Sequence, residues 1–423
     1  MNAEMISGKT GGSADFARKA LCRIRTITAF VSLGRGKSEW TGVLSTASRF
    51  CYDLSREFIR NDYAVQSIRI VTNPFGEYLD VSSLEKAMSD LSSLRDIVKS
   101  FDFGGTRVRV AIGEARTKSE IGLVPELIKA FGDLCYVCVN VGLDEHGFLD
   151  DELINCSAMA VSELSRITSG GEGNFNFTVN FNCQPLIPYF PASYHRGAQE
   201  IPFVIGLETP DLLVAALDGF CSGTDSVSHN ELSRGYYEAM SEALQYHVAQ
   251  IIGLIDSANI DPGFVFGGID SSAAPSKNCA SMIEVYEKMG VPYFGASGTV
   301  EASSLLTRVF KSIRGAPLVG FSGLMLALTE DAGLARGTVN SDFDIRALLT
   351  YSAVCGIGLD TVPIPGSTPT EKIAALMRDT GTMAFRLNKP LTVRLFPVPD
   401  LSAGDMTSFT SDDLCNCLVL AVP

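Results

Sequence analysis

Cys355-Gly-Ile-Gly-Leu-Asp360 puts a thiol and a carboxylate five residues apart on a turn with two glycines, where a bare backbone lets a ligand come close. Apolar Phe343, Ile345, Leu348, Leu349 and Ala353 recur at helical spacing just before it. Leu359-Asp360-Thr361-Val362 then begins a strand that Pro363, Pro365 and Gly366 stop. Two more carboxylates stand where apolar strands end, Glu208 after Phe203-Val-Ile-Gly-Leu207 and Asp270 after Phe264-Val-Phe-Gly-Gly-Ile269. Ligand-binding residues of α/β proteins gather at strand ends, so Glu208, Asp270 and Asp360 are read as general acids and bases, with Cys355 lining the site. The plainer reading of such acids is helix capping, and for Asp270, followed by two serines, the two readings have equal claim. Cys355 could act as a nucleophile or radical relay, but a helix C-terminus gives no help in forming a thiolate, and a small buried apolar residue is the competing role.

Residues that would orient a substrate are Asn182, His195, Ser271, Ser322 and Arg346. His195 closes the stretch Pro188-Tyr-Phe-Pro-Ala-Ser-Tyr-His195, an extended, proline-fixed loop suited to a binding lip for an anionic or carbonyl group. Ser322 follows a short strand and also reads as the cap of a helix over 322–335. Metal ligands are not specified. Cys135 and Cys138 have zinc spacing but fall in an apolar strand, where residues three apart face opposite sides. A divalent cation held by Glu208 with Asp270 or Asp360 is permitted, though no spacing demands it. Gly34-Arg35-Gly36-Lys37-Ser38 ends like a phosphate loop but has Val31 where the first glycine belongs. Neither Gly104-Gly105 nor Gly267-Gly268 forms a dinucleotide fingerprint, so no nucleotide or flavin signature is present.

These residues sit on alternating elements. Strands are expected over 23–32, 65–73, 108–113, 134–141, 175–182, 201–207, 264–269, 359–362 and 391–397, with a further short one at 418–422. Helices are expected over 40–61, 84–101, 121–131, 150–168, 232–257, 279–289, 300–312, 322–335, 343–354 and 370–387. Ser169-Gly-Gly-Glu-Gly-Asn174 reads as a flexible break. Ten to twelve strands alternating with helices, without a repeat or a composition break, predict an α/β fold with mainly parallel strands. Residues 1–22 read as a flexible lead-in and 23–423 as one domain.

The formal charge of −14 argues against nucleic acid as a partner, because phosphate binding needs a basic surface. No apolar run reaches the length of a spanning helix, so no membrane partner is expected. Eleven scattered cysteines, several in apolar strands, fit a reduced cytoplasmic protein.

Five ordered motifs resemble one family. They are Asn182-Cys-Gln-Pro-Leu-Ile-Pro-Tyr-Phe-Pro-Ala-Ser-Tyr-His195, Ile205-Gly-Leu-Glu208, Phe266-Gly-Gly-Ile-Asp270-Ser-Ser-Ala-Ala-Pro275, Gly320-Phe-Ser-Gly-Leu-Met-Leu326 and Ala353-Val-Cys-Gly-Ile-Gly-Leu-Asp360 with its Thr-Val-Pro continuation. Over 24–398 the chain resembles the domain of unknown function 711 family, grouped with pyruvate formate-lyase-like proteins. The resemblance implies a ten-stranded α/β barrel of the glycyl radical enzyme type with a loop inside it. It does not imply that chemistry, since no glycine follows Gly404 in the tail where the radical segment would lie. The expectation is an enzyme acting on a small polar carbonyl- or carboxylate-bearing metabolite by acid/base chemistry, with or without the help of a metal ion. The alternatives are a non-catalytic metabolite-binding or regulatory protein on the same fold and, on apolar composition alone, a structural role in a homo-oligomer.

Overall fold

A computed structural model describes residues 16–106, 108–197, 200–221, 228–258 and 260–423. The first fifteen residues of the expected lead-in lie outside these. The rest of that lead-in is tied down. A 3-10 turn spans Lys19–Leu21, Cys22 is buried, and the Phe16 carbonyl lies 2.8 Å from His247 Nε2.

Among the described residues nine strands form one mixed sheet: β1 (Arg23–Val31), β2 (Ile68–Thr72), β3 (Val108–Glu114), β4 (Tyr136–Val141), β5 (Phe177–Phe181), β6 (Ile201–Glu208), β7 (Phe264–Asp270), β8 (Gly358–Pro365) and β9 (Leu391–Val398). The order is β7-β6-β1-β2-β3-β4-β5-β9-β8. β1 to β5 are mutually parallel, and so are the pairs β6 with β7 and β8 with β9. The joints β1 with β6 and β5 with β9 are antiparallel, so the first five strands run one way and the last four the other. The sequence predicts ten to twelve strands, and the family resemblance a closed barrel of ten. The difference lies at the sheet's ends, where β7 and β8 do not pair with each other and the sheet stays open. Residues 317–329 run between these edges and touch each by an isolated bridge, Ile269 with Leu318 and Ala327 with Asp360.

One sheet face packs against helices. Helix Trp40–Arg60 shows how, burying Trp40, Leu44, Ala47, Cys51, Leu54 and Phe58 at alternating steps of three and four, the stripe of an amphipathic helix. Helices Lys118–Phe131 and His229–Ser257 begin with capping boxes, Thr117 with Glu120 and Ser228 with Glu231. The other face carries a smaller apolar cluster of Phe30, Val71, Ala111, Tyr136 and Val204. Loop 183–197 lies across it. The Pro188 carbonyl accepts from Thr28 Oγ1 (3.2 Å) and Arg69 Nη1 (3.3 Å), Asn180 Nδ2 donates to the Ala192 carbonyl (3.0 Å), and Tyr189 OH donates to the Leu207 carbonyl (2.9 Å). Strands β1, β2, β5 and β6 therefore all hold this loop.

Three local expectations are corrected. The helix predicted over 322–335 is absent before Ala332, and only Ala332–Asn340 is helical. Leu324, Met325, Leu326, Ala327 and Leu328 are all buried, and a run buried on every side carries no period by which to tell extended chain from helix. Residues 169–174 are no flexible break but part of a 3-10 segment, Ser169–Asn176, kinked at Gly170 and Gly171, which take φ 58° and 72°. Its Gly171 lies so close to the Pro397 carbonyl that a Cβ would sit 2.6 Å from it, and its Glu172 accepts from the Thr410 and Ser411 amides. The tail 418–422 forms no strand and makes one bridge, Leu418 with Met406. Among the described residues no helix is long and apolar enough to cross a membrane.

Candidate functional site

Asp360 is turned onto the loop-covered face by an irregularity in its own strand. The register of β8 against β9 shifts between Leu359 and Val362, and Thr361 takes φ 50°, a left-handed conformation that a β-branched residue rarely adopts. Thr329 N donates to Thr361 Oγ1 (3.0 Å) and Leu328 N to the Asp360 carbonyl (3.1 Å), so residues 317–329 hold the distortion in place. Strained backbone held by its surroundings is a recurrent property of functional sites.

A line of alternating charge starts at Asp360. Arg394 donates through Nε to Asp360 Oδ1 (2.6 Å) and through Nη2 to Glu330 Oε1 (2.6 Å). Arg25 lies 3.8 Å from Glu330 Oε2 and donates to Glu208 Oε2 (3.2 Å), and Arg23 donates to Glu208 Oε1 (2.8 Å). Burial disfavours the Arg394 charge, but Asp360 and Glu330 outweigh it and raise its pKa. Burial likewise pushes the Glu330 carboxyl up, against the two arginines that favour its ionised form.

Arg69 breaks the pattern of pairing. Its side chain comes from β2, is 7% exposed, donates to the Pro188 carbonyl and to Ser67 Oγ (3.3 Å), and lies 4.9 Å from the Phe190 ring centre. Among the described residues no carboxylate pairs with it. Burial, with Arg25 and Arg109 nearby, pushes its pKa down to about 9. At neutral pH it is a buried cation short of a counter-ion, an arrangement that is costly unless something supplies the negative charge.

Arg69, Arg25, Arg394, Glu330 and Asp360 share one small cavity of about 50 Å³. Phe321, Met325 and Ala327 wall it from the 317–329 side, Phe190 and Ala192 from the loop, and Thr178 and Thr392 from β5 and β9. Asp360 Oδ2 is buried and accepts no hydrogen bond among the described residues. The cavity thus offers an unpaired cation and an unused carboxylate oxygen to whatever enters it.

Of the residues singled out from sequence, Asp360 alone lines this cavity. Glu208 stands behind it, its oxygens taken by Arg23, Arg25 and Gln66. Asp270 is a clasp. Its Oδ1 accepts from Ser272 N (3.0 Å), Ser272 Oγ (2.6 Å) and Ser322 N (3.0 Å), and its Oδ2 from Phe321 N (2.8 Å), pinning the end of β7 to the cavity wall. Ser271 donates to the Phe310 carbonyl (2.6 Å). Ser322, expected as a helix cap, begins no helix, has φ 38° and donates to the Val319 carbonyl (2.7 Å). Cys355 is buried, and its sulfur accepts from Gly358 N at 3.4 Å.

His195 is not on an open lip but 3% exposed. Its Nδ1 faces the Gly197 amide (3.2 Å), which assigns the proton to Nε2, donating to the Val31 carbonyl (3.0 Å), and burial lowers its pKa. Asn182 donates to Asn388 Oδ1 (3.2 Å), and Arg346 is exposed beside Asp344. Among the described residues no three His, Cys, Asp or Glu side chains gather where a metal ion could be held, so Glu208, Asp270 and Asp360 do not form one ligand set. Arg25, Arg69 and Arg394, not anticipated as site residues, did leave a trace in the sequence. Arg69 and Arg394 each interrupt an apolar strand, Ile68-Arg-Ile-Val71 and Leu391-Thr-Val-Arg-Leu-Phe396, where a charge is exceptional.

The family model described as "Uncharacterised ACR (DUF711)" matches residues 16–411, a span that contains every residue of this cavity. The chain belongs to the DUF711 family. Relatives bear the name UPF0210 protein. One from Limosilactobacillus reuteri (strain DSM 20016) is 27% identical over 296 residues, 68% of this chain and 63% of the relative. One from Pyrobaculum arsenaticum is 30% identical over 236 residues, 54% and 50% of the two chains. One from Corynebacterium glutamicum is 27% identical over 421 residues, 91% and 85%. The chain therefore spans 63% and 50% of the lengths of the first two relatives, and neither family description names a reaction or a substrate.

Proposed function

We propose that the protein is an enzyme that takes a small carboxylate-bearing metabolite into this cavity and carries out acid/base chemistry on it with Asp360 as general base. One observation carries the reading, the presence in a single cavity of buried Arg69 without a counter-ion and Asp360 Oδ2 without a donor. Arg69 would bind the carboxylate. Arg394 orients Asp360 through its first oxygen, leaving the second to accept a proton. Glu208 acts at a distance, by fixing Arg25 beside Glu330, and Asp270 by holding the wall. Cys355 packs behind the site.

The test uses pyruvate as a probe with both a carbonyl and a carboxylate. Arg69→Met should weaken pyruvate binding at least tenfold by calorimetry, about 1.4 kcal/mol. Asp360→Asn should retain binding but lose the exchange of the pyruvate methyl protons in D2O that the wild type accelerates, followed by NMR. Equal pyruvate affinity in wild type and Arg69→Met would remove the anion assignment.

A second reading, a metabolite-binding protein without turnover, is favoured by the saturation of Asp270 and Glu208, which leaves Asp360 Oδ2 as the one oxygen of these three acids without a donor among the described residues. Pyruvate binding that depends on Arg69 without proton exchange would select it. We also propose that residues 317–329 stand where a barrel's tenth strand would, a reading supported by the single bridges to β7 and β8. An experimental structure in which this segment leaves either edge would remove it.

A further inference from the structure

Two carboxyl groups, not one, line the cavity. Glu330 stands in its wall with Asp360, and a single guanidinium holds both. Arg394 donates through Nη2 to Glu330 Oε1 and through Nε to Asp360 Oδ1, each at 2.6 Å. Glu330 also keeps one oxygen in reserve. Its Oε2 lies 3.8 Å from Arg25, beyond hydrogen-bond length, while Arg25 itself donates to Glu208 at 3.2 Å.

The charges along this line do not come out even. From Asp211 through Arg23, Glu208, Arg25, Glu330 and Arg394 to Asp360, four carboxyl groups alternate with three guanidiniums. Arg69, in the same cavity, brings the fourth positive charge. A ligand carboxylate that engages Arg69 takes that charge for itself and leaves the line one cation short. A negative charge arriving beside a buried carboxyl favours its protonated form. Glu208 has no oxygen free to take the proton, and neither has Asp211, held by Arg23 and the Ala280 amide. Burial already pushes the Glu330 carboxyl up, Arg394 and Arg25 opposing and Asp360 adding to it. The remaining titratable group that faces it is the Cys415 thiol, which burial also pushes up and which Lys277 pulls the other way. Asp331, next in the chain, is turned onto Ser281 and the amides of Met282, Gly333 and Leu334.

We propose that Glu330 is the acid partner of Asp360 and takes up its proton from solvent as the ligand carboxylate docks on Arg69. This rests on the assignment of Arg69 to the carboxylate and adds a second catalytic residue to the site. On a ligand with a carbonyl, Asp360 Oδ2 removes a proton from the adjacent carbon while Glu330 gives its own to the carbonyl oxygen. The enol that forms balances the two transfers, and no further reactant is needed.

Calorimetry of the full chain with acetate, a ligand suited to a cavity of about 50 Å³, tests this when run at pH 7 in both phosphate and Tris. The two buffers differ in ionisation enthalpy, so the difference in heat counts the protons taken up. The wild type should take up roughly half a proton or more per acetate, and its affinity should rise about two- to tenfold from pH 7.5 to 6.5, tenfold per unit being the limit for one linked proton. Glu330→Gln, which keeps an oxygen for Arg394, should bind acetate without uptake. It should also exchange the methyl protons of pyruvate in D2O more slowly than the wild type, by about tenfold or more. Acetate binding without proton uptake in the wild type overturns the proposal, and this needs no variant to fold. Uptake that persists in Glu330→Gln would belong to Asp360 or Asp270 and overturn it as well. If Glu330→Gln exchanges pyruvate protons at the wild-type rate, or neither protein exchanges them, the acid role falls while the carboxylate assignment stands. If acetate binds equally to wild type and Arg69→Met, or to neither, the carboxylate assignment fails and takes this one with it.

Discussion

Asp270 and Asp360 are both buried aspartates, and what already fills their oxygens separates them. Four donors occupy Asp270, whereas Arg394 occupies one oxygen of Asp360 and leaves the other free. Burial pushes the Asp270 carboxyl up to about 6, against the ordinary 3.8, although its donors favour the ionised form. Between these values the folded state holds a proton that the unfolded chain has not yet taken up. Its contribution is therefore fully present below about pH 4 and lost as pH rises through about 6, amounting to roughly 3 kcal/mol at 1.36 kcal/mol per unit. Asp270→Asn has no such titration. Urea unfolding at pH 7, 5 and 4 should show the wild type gaining on the variant as pH falls. A difference independent of pH would mean that the donors, not burial, set this carboxyl.

At the scale of elements, the cavity depends on residues 317–329 keeping a path that only glycine can follow at one point. Gly320 has φ 61°, and a Cβ there would lie 2.1 Å from Asp270 Oδ2. Gly320→Ala should cost about 2–4 kcal/mol, combining backbone strain with loss of the clasp. Gly122→Ala is the contrast. That residue lies within helix Lys118–Phe131, where an added Cβ would meet no atom within 4 Å, so the same change should stabilise by about 0.5–1 kcal/mol. Thermal or urea unfolding reads both, and equal effects would deny the wall its strain.

The same elements explain what could be read in advance. Helices such as Leu84–Lys99 and Thr370–Arg386, and strands such as β1 and β9, announce themselves through one-sided burial or apolar runs between turn residues. The wall did not, because its apolar run is buried all round. Strand-end reasoning found the acids but grouped Asn182 with them, since it presumes one strand direction. Here Glu208 and Asp270 end strands that run opposite to β5, after which Asn182 lies, so the groups belong to different ends of the sheet. Asp360, which lines the cavity, was legible as a candidate from its glycine-bearing approach. Its partner Arg394 was not, because a lone arginine in a strand gives no hint of what it pairs with across 34 residues.

For the whole molecule, the two antiparallel joints decide which parts can stand alone. β1 and β5 are interior strands only because β6 and β9 cover their outer sides. A fragment ending at residue 200 would expose both as unpaired edges. Expressed alone, it should aggregate, and co-expression with residues 201–423 should recover soluble material, both measured by size-exclusion chromatography. A soluble, monomeric fragment with native-like circular dichroism would contradict this.

The joint at β1 also sets a timetable for synthesis. Arg23 finds Glu208 only 185 residues later. At about 5–20 residues per second a ribosome takes on the order of 10–40 s to cover that distance. Throughout that interval β1 has one edge awaiting its partner. The nascent half-sheet, more than the finished protein, is thus the species a chaperone would have to recognise.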